Sequence, residues 1–345
     1  MKKSLLGLFF SFLFFHVYSQ QQYRVVTIGF YNLENLYDTI NDPKVNDDEF
    51  TPAGAKGYNG EVFKDKIGKL SDVLSLMATE HTPEGVAILG VAEVENRSVL
   101  EALVNTPKLK ARNYRIIHYD SPDLRGVDVG MLYNPKYFKE VHSEPLFVRL
   151  AGDEGKGFFT RDILFVEGIF MGEPLYVFVN HWPSRRGGEE ASAPARAAAA
   201  SVARHKIDSI TAINPNAKIV LMGDLNDEPV SPSVTKVLGA KGKTDDVQPG
   251  GMYNPWVDFY KRGIGTSAYQ DSWGLFDQIM ISSGFLDKQQ AGYYFHKAVI
   301  FQKEFMLQKT GKYKGYPKRT YDGSRYIGGY SDHFPTYLIF VKPVR

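Results

Sequence analysis

The sequence contains no cysteine among its 345 residues. Disulfides, thiolate metal sites and cysteine nucleophiles are therefore excluded, and the folded chain must be held together by its hydrophobic core. The sequence also has little net charge, because the formal value is only +2. A protein without excess positive charge is not built for tight, non-specific binding of nucleic acids, so any polyanion must be met by a local basic patch.

The one long apolar run stands at the beginning of the sequence. Lys2 and Lys3 precede apolar residues 5–15, and small residues around Ser19 suit a cleavage site. This pattern predicts a secretory signal peptide over residues 1–20, too short to be a convincing membrane span. The protein is then expected to be secreted, periplasmic or at the cell surface, without stable insertion in a membrane. Loss of Lys2 and Lys3 leaves 39 basic residues against 39 acidic ones.

The remaining sequence has no internal repeat and no linker that would divide it. Its hydrophobic fraction of 43% and charged fraction of 23% are typical of a soluble globular protein. Residues 21–345 are therefore expected to form a single catalytic domain with an ample core, and we expect a monomer.

Strand and helix patterns alternate in the first third of the chain. Residues 23–30 are rich in Val and Ile, residues 62–77 repeat apolar side chains at helical spacing, and residues 86–91 form a continuous apolar run. A second short helix is predicted near residues 100–104. This order is typical of a layered α/β architecture.

A short buried strand over residues 219–222 ends in Gly223-Asp224-Leu225-Asn226. If the backbone stays extended, Asp224 and Asn226 leave on one face while Leu225 points into the core. A carboxylate can hold a hard cation or orient water, and an amide can steady an oxygen without adding repulsive charge. Such residues also form ordinary turns, so this motif alone is weak.

Five further strand ends carry polar side chains in the same way. They are Asn32 with Glu34, Glu93, His181, Asp277, and Asp332 with His333. Each has a harmless structural explanation, but together they supply two histidines and several carboxylates where apolar strands stop. Ligand sites in layered α/β folds lie at such ends. Arg185 and Arg186 follow His181 and are donors suited to phosphate.

Two other segments place charge where it needs an explanation. Asp128 falls inside a predicted strand, where an unpaired carboxylate is costly, and Arg125 is the nearest candidate partner. Residues 309–330 interleave Lys and Arg with Tyr. That segment is either an ordinary solvated loop or a flap that stacks bases and cradles phosphates.

The sequence resembles the endonuclease/exonuclease/phosphatase superfamily in six motifs that occur in the family's order. They are Tyr31-Asn32-Leu33-Glu34, Ala92-Glu93-Val94, Asn180-His181-Trp182-Pro183, Gly223-Asp224-Leu225-Asn226, Phe276-Asp277-Gln278 and Ser331-Asp332-His333. The resemblance covers nearly the whole chain after the leader. It implies a DNase I-like fold, a four-layer α/β/β/α sandwich of two packed mixed β-sheets with helices outside. It also implies hydrolysis of a phosphate ester with a divalent metal.

The resemblance implies a role for each matching residue. The metal ligands would be Asn32, Glu34, Glu93 and Asp332. The catalytic residues would be His181, Asp224, Asn226, Asp277 and His333, with Asp277 holding the ring of His333. Glu95 is a rival for the role of Glu93. Mg²⁺ or Mn²⁺ is the expected cofactor, with Ca²⁺ as a further candidate, and Arg185 and Arg186 are expected to steady a phosphoryl oxygen.

The expected activity is that of a secreted nuclease, with nucleic acid as substrate and direct attack by water. An alternative is a phosphatase or a sphingomyelinase-like phosphodiesterase acting on another phosphate ester. The sphingomyelinase reading requires an exposed apolar hairpin, for which Trp256 and Phe259 are candidates. An alternative of another class is a non-catalytic nucleic-acid-binding module, disfavoured because the full set of acid, base and metal-ligand residues is present.

Overall fold

The structure is a computed structural model that describes residues 21–150, 159–289 and 292–344. The predicted signal peptide lies outside the described residues. Within those ranges, no helix is both long and apolar enough to cross a membrane.

Sixteen strands and four α-helices form in the described part of the chain. The strands are β1 (Tyr23–Leu36), β2 (Ile88–Val94), β3 (Arg115–His118), β4 (Asp128–Tyr133), β5 (Phe138–Leu146), β6 (Ile163–Phe170), β7 (Glu173–His181), β8 (Ile219–Asp224), β9 (Met252–Tyr253), β10 (Ser267–Tyr269), β11 (Ser272–Gly274), β12 (Asp277–Ser282), β13 (Tyr294–Ile300), β14 (Tyr321–Asp322), β15 (Arg325–Tyr326) and β16 (Thr336–Pro343). The helices are α1 (Gly60–Leu76), α2 (Arg97–Val104), α3 (Glu189–Ile213) and α4 (Val257–Lys261).

The longer strands form two six-stranded sheets. The first has the order β13-β16-β1-β2-β4-β3, and the second has the order β5-β6-β7-β8-β12-β9. Both sheets are mixed, because β1 pairs with β2 and β7 with β8 in parallel while most other pairs are antiparallel. All residues of β8 are buried, as expected for a strand covered on both faces, and this explains its continuous apolar sequence.

The two sheets pack face to face, and helices cover their outer faces. Side chains of both sheets, such as Ile28 of β1 and Val220 of β8, meet in one buried cluster. Helices α1 and α2 pack on the outside of the first sheet, and α3 packs on the outside of the second. The four-layer α/β/β/α sandwich predicted from the resemblance is therefore confirmed.

Helix α3 lies close to the second sheet because its inward face is built of small side chains. Ala199, Ala200 and Ala203 are all buried in the cluster that joins α3 to this sheet. Alanine also has the highest intrinsic helix propensity, so the same residues favour the helix and its close packing.

The apolar hairpin expected from a sphingomyelinase-like reading is not formed by its candidates. Trp256 is fully buried, and its indole N–H donates to the carbonyl of Ile279 at 3.0 Å. Phe259 packs against the same core. That interpretation of the two residues is wrong, because the indole gains both an apolar environment and a hydrogen-bond partner inside the fold.

Candidate active site

The ends of β1 and β2 leave regular strand geometry, and this directs their polar side chains to one rim of the sandwich. Glu34, Asn35 and Glu93 have φ values of 51°, 51° and 60°, in the left-handed region that non-glycine residues rarely adopt. The register between β1 and β2 is broken between Asn32 and Leu36. The backbone N–H of Asn35 donates to Glu93 Oε2 at 2.9 Å, so the two irregular strand ends support each other. Such strained backbone is typical of functional sites.

The irregular turn at Glu93 separates it from its rival Glu95. Glu93 Oε1 lies 3.8 Å from His181 Nε2, at the rim. Glu95 instead accepts a hydrogen bond from the backbone N–H of Asp38. Burial raises the pKa of Glu95 to about 8, although the hydrogen bond from the backbone N–H of Asp38 opposes this shift. Of the two glutamates, the structure brings Glu93 to the other predicted site residues.

Three neighbouring strands of the second sheet deliver their last or first residue to the same rim. Asp224 at the end of β8 is in register with His181 of β7 and with Asp277 of β12. His181 Nε2 lies 3.9 Å from Asp224 Oδ2. Asn32 of the first sheet donates from Nδ2 to the same oxygen at 3.0 Å. Asp224 is therefore the point at which the two sheets meet through polar side chains.

His333 completes this group from the loop before β16. Its Nδ1 lies 2.7 Å from Asp277 Oδ2, and its Nε2 lies 3.9 Å from both Asp224 Oδ2 and Asp332 Oδ1. The hydroxyl of Thr266 also donates to Asp277 Oδ2. The carboxylate of Asp277 is thus fixed, and it fixes the orientation of the His333 ring.

Burial and neighbouring charges shift the pKa values of these groups in different directions. Burial raises the pKa of Asp224 to about 6, although the neighbouring His333 opposes this shift. Burial would lower the pKa of His333, but the carboxylates of Asp277 and Asp224 outweigh it and raise that pKa well above its ordinary value. Burial and the cationic Arg161 hold the pKa of His181 well below its ordinary value. The site therefore combines a protonated His333 with a neutral His181.

Glu34 and Asp332 lie beside a buried cation. Glu34 Oε2 accepts hydrogen bonds from the amide and the hydroxyl of Thr320, at 2.7 and 2.8 Å. Lys66 Nζ lies 3.8 Å from the same oxygen and donates to the Thr320 hydroxyl at 2.6 Å. Burial raises the pKa of Glu34 to about 7, and Asp332 adds to this. Arg319 in turn donates to Asp332 Oδ2 at 3.3 Å.

The donor set suits a hard divalent cation. Among the described residues, Asp224, Asp277 and His333 form one of two groups of three that bring ligand atoms within 4.8 Å of one another. Glu34, Glu93 and Asp332, the predicted metal carboxylates, do not form such a group. The rim nevertheless gathers carboxylate and amide oxygens without thiolates, and the pKa values of Glu34 and Asp224 are raised by burial despite their hydrogen bonds. Oxygen donors crowded in this way fit Mg²⁺, Mn²⁺ or Ca²⁺.

The structure places Asn226 and the two arginines at the edge of the site. Asn226 has a φ of 49°, and its Nδ2 donates to the carbonyl of Trp182 at 2.9 Å. Arg185 Nε donates to the carbonyl of Asn226 at 2.9 Å, and its Nη1 donates to Glu189 at 2.9 Å. Arg185 is thus occupied with protein groups and supports the Asn226 turn, whereas Arg186 is exposed.

Comparisons with known proteins agree with this architecture. A sequence model described as the endonuclease/exonuclease/phosphatase family matches residues 27–342. A search of curated protein sequences finds no match.

Solved structures that resemble the chain share its fold at low sequence identity. Danio rerio TDP2 complexed with single strand DNA product is 16% identical, with a TM-score of 0.54 over 92% of this chain and 98% of that one. An endonuclease/exonuclease/phosphatase family protein from Bacteroides thetaiotaomicron is 14% identical, with a TM-score of 0.55 over 94% and 100% of the two chains. A mannosyl-6-phosphatase from the same species is 16% identical, with a TM-score of 0.53 over 93% and 100%. At these identities the likeness shows the fold alone.

Proposed function

The chain belongs to the endonuclease/exonuclease/phosphatase family and is a metal-dependent phosphoester hydrolase; we propose that it is a secreted nuclease that cleaves phosphodiester bonds of nucleic acid. The observation that carries the chemical part of this proposal is the position of one buried carboxylate oxygen. Asp224 Oδ2 lies 3.9 Å from the Nε2 atoms of both His181 and His333. A base, an acid and a neutral imidazole therefore face one point on the rim, where a phosphoryl group can meet all three.

In this proposal, Asp224 accepts a proton from the attacking water. Its raised pKa of about 6 makes it a stronger base than an ordinary aspartate while leaving it mostly ionised at neutral pH. Asn32 holds the carboxylate in place through the hydrogen bond to Oδ2. Asn226, two residues on, orients the loop that closes this side of the site. The water attacks phosphorus directly, and the absence of cysteine from the chain fits a route without a covalent enzyme intermediate.

His333 acts as the acid and His181 as a hydrogen-bond donor. The Asp277 carboxylate at His333 Nδ1 keeps the ring protonated and presents Nε2–H to a phosphoryl or leaving oxygen. His181 is held neutral and can donate to another phosphoryl oxygen without adding charge. Glu93 and Asp332, assisted by Asn32 and Glu34, would hold Mg²⁺ or Mn²⁺. When bound, that cation supplies neutralisation of the charge that develops on the phosphate.

Support for a nucleic-acid substrate comes from the surface next to Asp332, where arginines and tyrosines of residues 309–330 border the site. The predicted leader supports export, and the mass of the mature N-terminus would test it. A phosphate monoester of a sugar is the second candidate, favoured by the similarity of fold to a protein titled mannosyl-6-phosphatase and by the near-zero charge expected after leader removal.

A substrate panel with a matched blank tests the proposal. The panel contains single-stranded and duplex DNA, RNA, sphingomyelin, bis(p-nitrophenyl) phosphate and mannose 6-phosphate, each with Mg²⁺, Mn²⁺ or chelator. The nuclease proposal expects metal-dependent cleavage of nucleic acid by the wild type, and none by Asp224→Ala. Turnover of mannose 6-phosphate alone would favour the monoester alternative. Nucleic-acid binding without turnover under any cation would favour the binding module.

A further inference from the structure

Three aromatic side chains form a surface beside the candidate active site, which we call the aromatic shelf. They are Trp273, Tyr313 and Tyr316. Trp273 belongs to the hairpin of β10 and β11, and the two tyrosines belong to the segment that follows residue 308. Ser267 of the hairpin forms a β-bridge with His333, so the shelf is attached directly to the predicted catalytic residue.

The shelf is held in place although its rings are open to solvent. Trp273 stacks on Phe334 with ring centroids 6.1 Å apart and packs against Tyr316 at 5.9 Å. The amide of Asp271 donates to the Tyr316 hydroxyl at 2.8 Å, which ties the hairpin to the second segment. Trp273 and Tyr313 are nevertheless each 36% exposed. Fixed, exposed aromatic rings that lie together mark a binding surface.

Cationic side chains lie between the shelf and the predicted metal ligands. Arg319 lies 5.9 Å from the Tyr313 ring and donates to Asp332. The side chain of Arg325 is 77% exposed, and its Nη2 lies 3.3 Å from Asp322 Oδ2. A cavity of about 60 Å³ is lined by Tyr313, Tyr316, Arg319, Arg325, Asp322 and Asp332 among others. Its charges are mixed, so the arginines are placed to contact a single anionic group rather than to create a broad basic surface.

We propose that the aromatic shelf is a subsite for the nucleotide next to the scissile phosphate of a single-stranded nucleic acid. A base stacks on the exposed part of the Tyr313 ring, and its phosphate contacts Arg325. A duplex hides the faces of its bases, whereas an unpaired strand offers them to aromatic rings whatever their sequence. A sugar phosphate has no aromatic ring to stack on this surface. The inference rests on the proposed nuclease function and adds the strandedness of the substrate.

The test compares two substrates in one set of variants. For Tyr313→Ala, we expect kcat/KM on a single-stranded oligonucleotide to fall about 5- to 150-fold, the range that base stacking supports. The fall on bis(p-nitrophenyl) phosphate is expected to stay below about twofold, and Tyr313→Phe restores most of the oligonucleotide activity. Tyr23→Ala removes a similarly exposed tyrosine at the start of β1, away from the rim, and serves as the matched control.

A binding measurement supplies a readout that does not depend on turnover. In a His333→Ala background with Mg²⁺, the affinity for the oligonucleotide is measured by fluorescence anisotropy at several salt concentrations. Arg325→Ala is expected to reduce the slope of log Kd against log salt by about 1, as for one lost phosphate contact. An exposed arginine at the start of β3, Arg115, provides the control substitution.

The outcomes separate the subsite from the activity. Equal losses on both substrates, or no loss on the oligonucleotide, would overturn the subsite. Cleavage of duplex DNA in preference to single strands would do the same. Hydrolysis of the small ester without any oligonucleotide cleavage would remove the subsite and the nuclease function while leaving the hydrolase. If the wild type has no activity on any substrate, the proposed function itself is rejected.

Discussion

Two groups of histidine and carboxylate side chains bring their ligand atoms equally close together, yet they are built differently. One consists of Asp224, Asp277 and His333, and the other of His118, Asp120 and Asp128. In the second group, His118 Nε2 lies 3.1 Å from Asp128 Oδ2, which is a tighter contact than either histidine of the rim makes with Asp224. Proximity alone does not distinguish them.

The difference lies in where the residues come from and in how deeply they are buried. His118 and Asp128 are on adjacent strands of one sheet, and Ser121 donates to Asp128 at 2.8 Å. Asp120 is 92% exposed. The rim group instead draws on both sheets, because Asp224 and Asp277 belong to β8 and β12 whereas His333 precedes β16. We conclude that the first group serves chemistry and the second holds a sheet edge together.

The sharpest way to break this comparison is to remove one histidine from each group. His333→Ala is expected to lower kcat by about 10²–10⁴-fold, the usual contribution of a positioned acid or base. His118→Ala should leave kcat within about threefold of the wild type, because that ring pairs only with a structural carboxylate. Steady-state kinetics on bis(p-nitrophenyl) phosphate measure both. Similar losses in the two variants would contradict the distinction, provided that circular dichroism shows both to be folded.

Metal affinity sharpens the same comparison. Glu93→Gln keeps the size of the side chain but removes a predicted ligand charge, so the Kd for Mn²⁺ should rise at least tenfold. Asp120→Asn in the second group is the matched control and should leave the Kd unchanged. Isothermal titration of each protein after chelation measures the affinity directly. Weaker Mn²⁺ binding in Asp120→Asn alone would show that the metal binds the second group, which would contradict our account.

The stability of the metal-free protein should depend on Glu95, which lines a cavity together with Asp120 and Asp128. Its pKa is about 8 in the folded state and near 4.5 when unfolded, so the folded state binds the extra proton. The stability that this group contributes is complete below about pH 4.5 and is lost as the pH rises through 8. Glu95→Gln should therefore stabilise the protein at pH 8 by about 1–3 kcal/mol, with little effect at pH 4.5.

Urea unfolding at several pH values measures this effect. Glu190→Gln changes an exposed glutamate and is the control. A pH-independent difference between Glu95→Gln and the wild type would mean that burial does not hold Glu95 protonated.

The smallest expected effect separates the two arginines that follow His181. Arg185→Ala should lower kcat by about three- to tenfold, because the guanidinium supports the Asn226 carbonyl and loses that hydrogen bond. Arg186→Ala should change kcat by less than about twofold unless it reaches substrate. A larger increase in KM for Arg186→Ala than for Arg185→Ala would instead support the prediction that Arg186 binds phosphate.

The fold and the composition of the rim could be predicted because both are written locally in the sequence. A continuous apolar run predicts a buried strand, and a functional side chain such as Asp224 lies directly after such a run. Six such strand ends, found in the order of a known family, also indicate how the strands are connected. The order Val-Ala-Glu-Val favours Glu93 over Glu95 for the metal, whereas the left-handed turn that separates the two glutamates has no sequence signal of its own.

The supporting residues were harder to foresee because their partners are distant in sequence. Lys66 meets Glu34 and Thr320 through tertiary contacts, and the only hint was a lysine four residues before Leu70 on the apolar face of α1. Thr266 gave no signal at all. Asp128 was expected to pair with Arg125, which is wrong: Arg125 pairs with Asp123, while Asp128 pairs with His118 on the neighbouring strand.

The most direct test of the central claim is an anomalous difference map from crystals soaked in Mn²⁺. We predict a peak about 2.0–2.6 Å from a carboxylate oxygen of Glu93 or Asp332, beside Asp224 and His333. A peak at His118, Asp120 and Asp128, with none at the rim, would contradict the account.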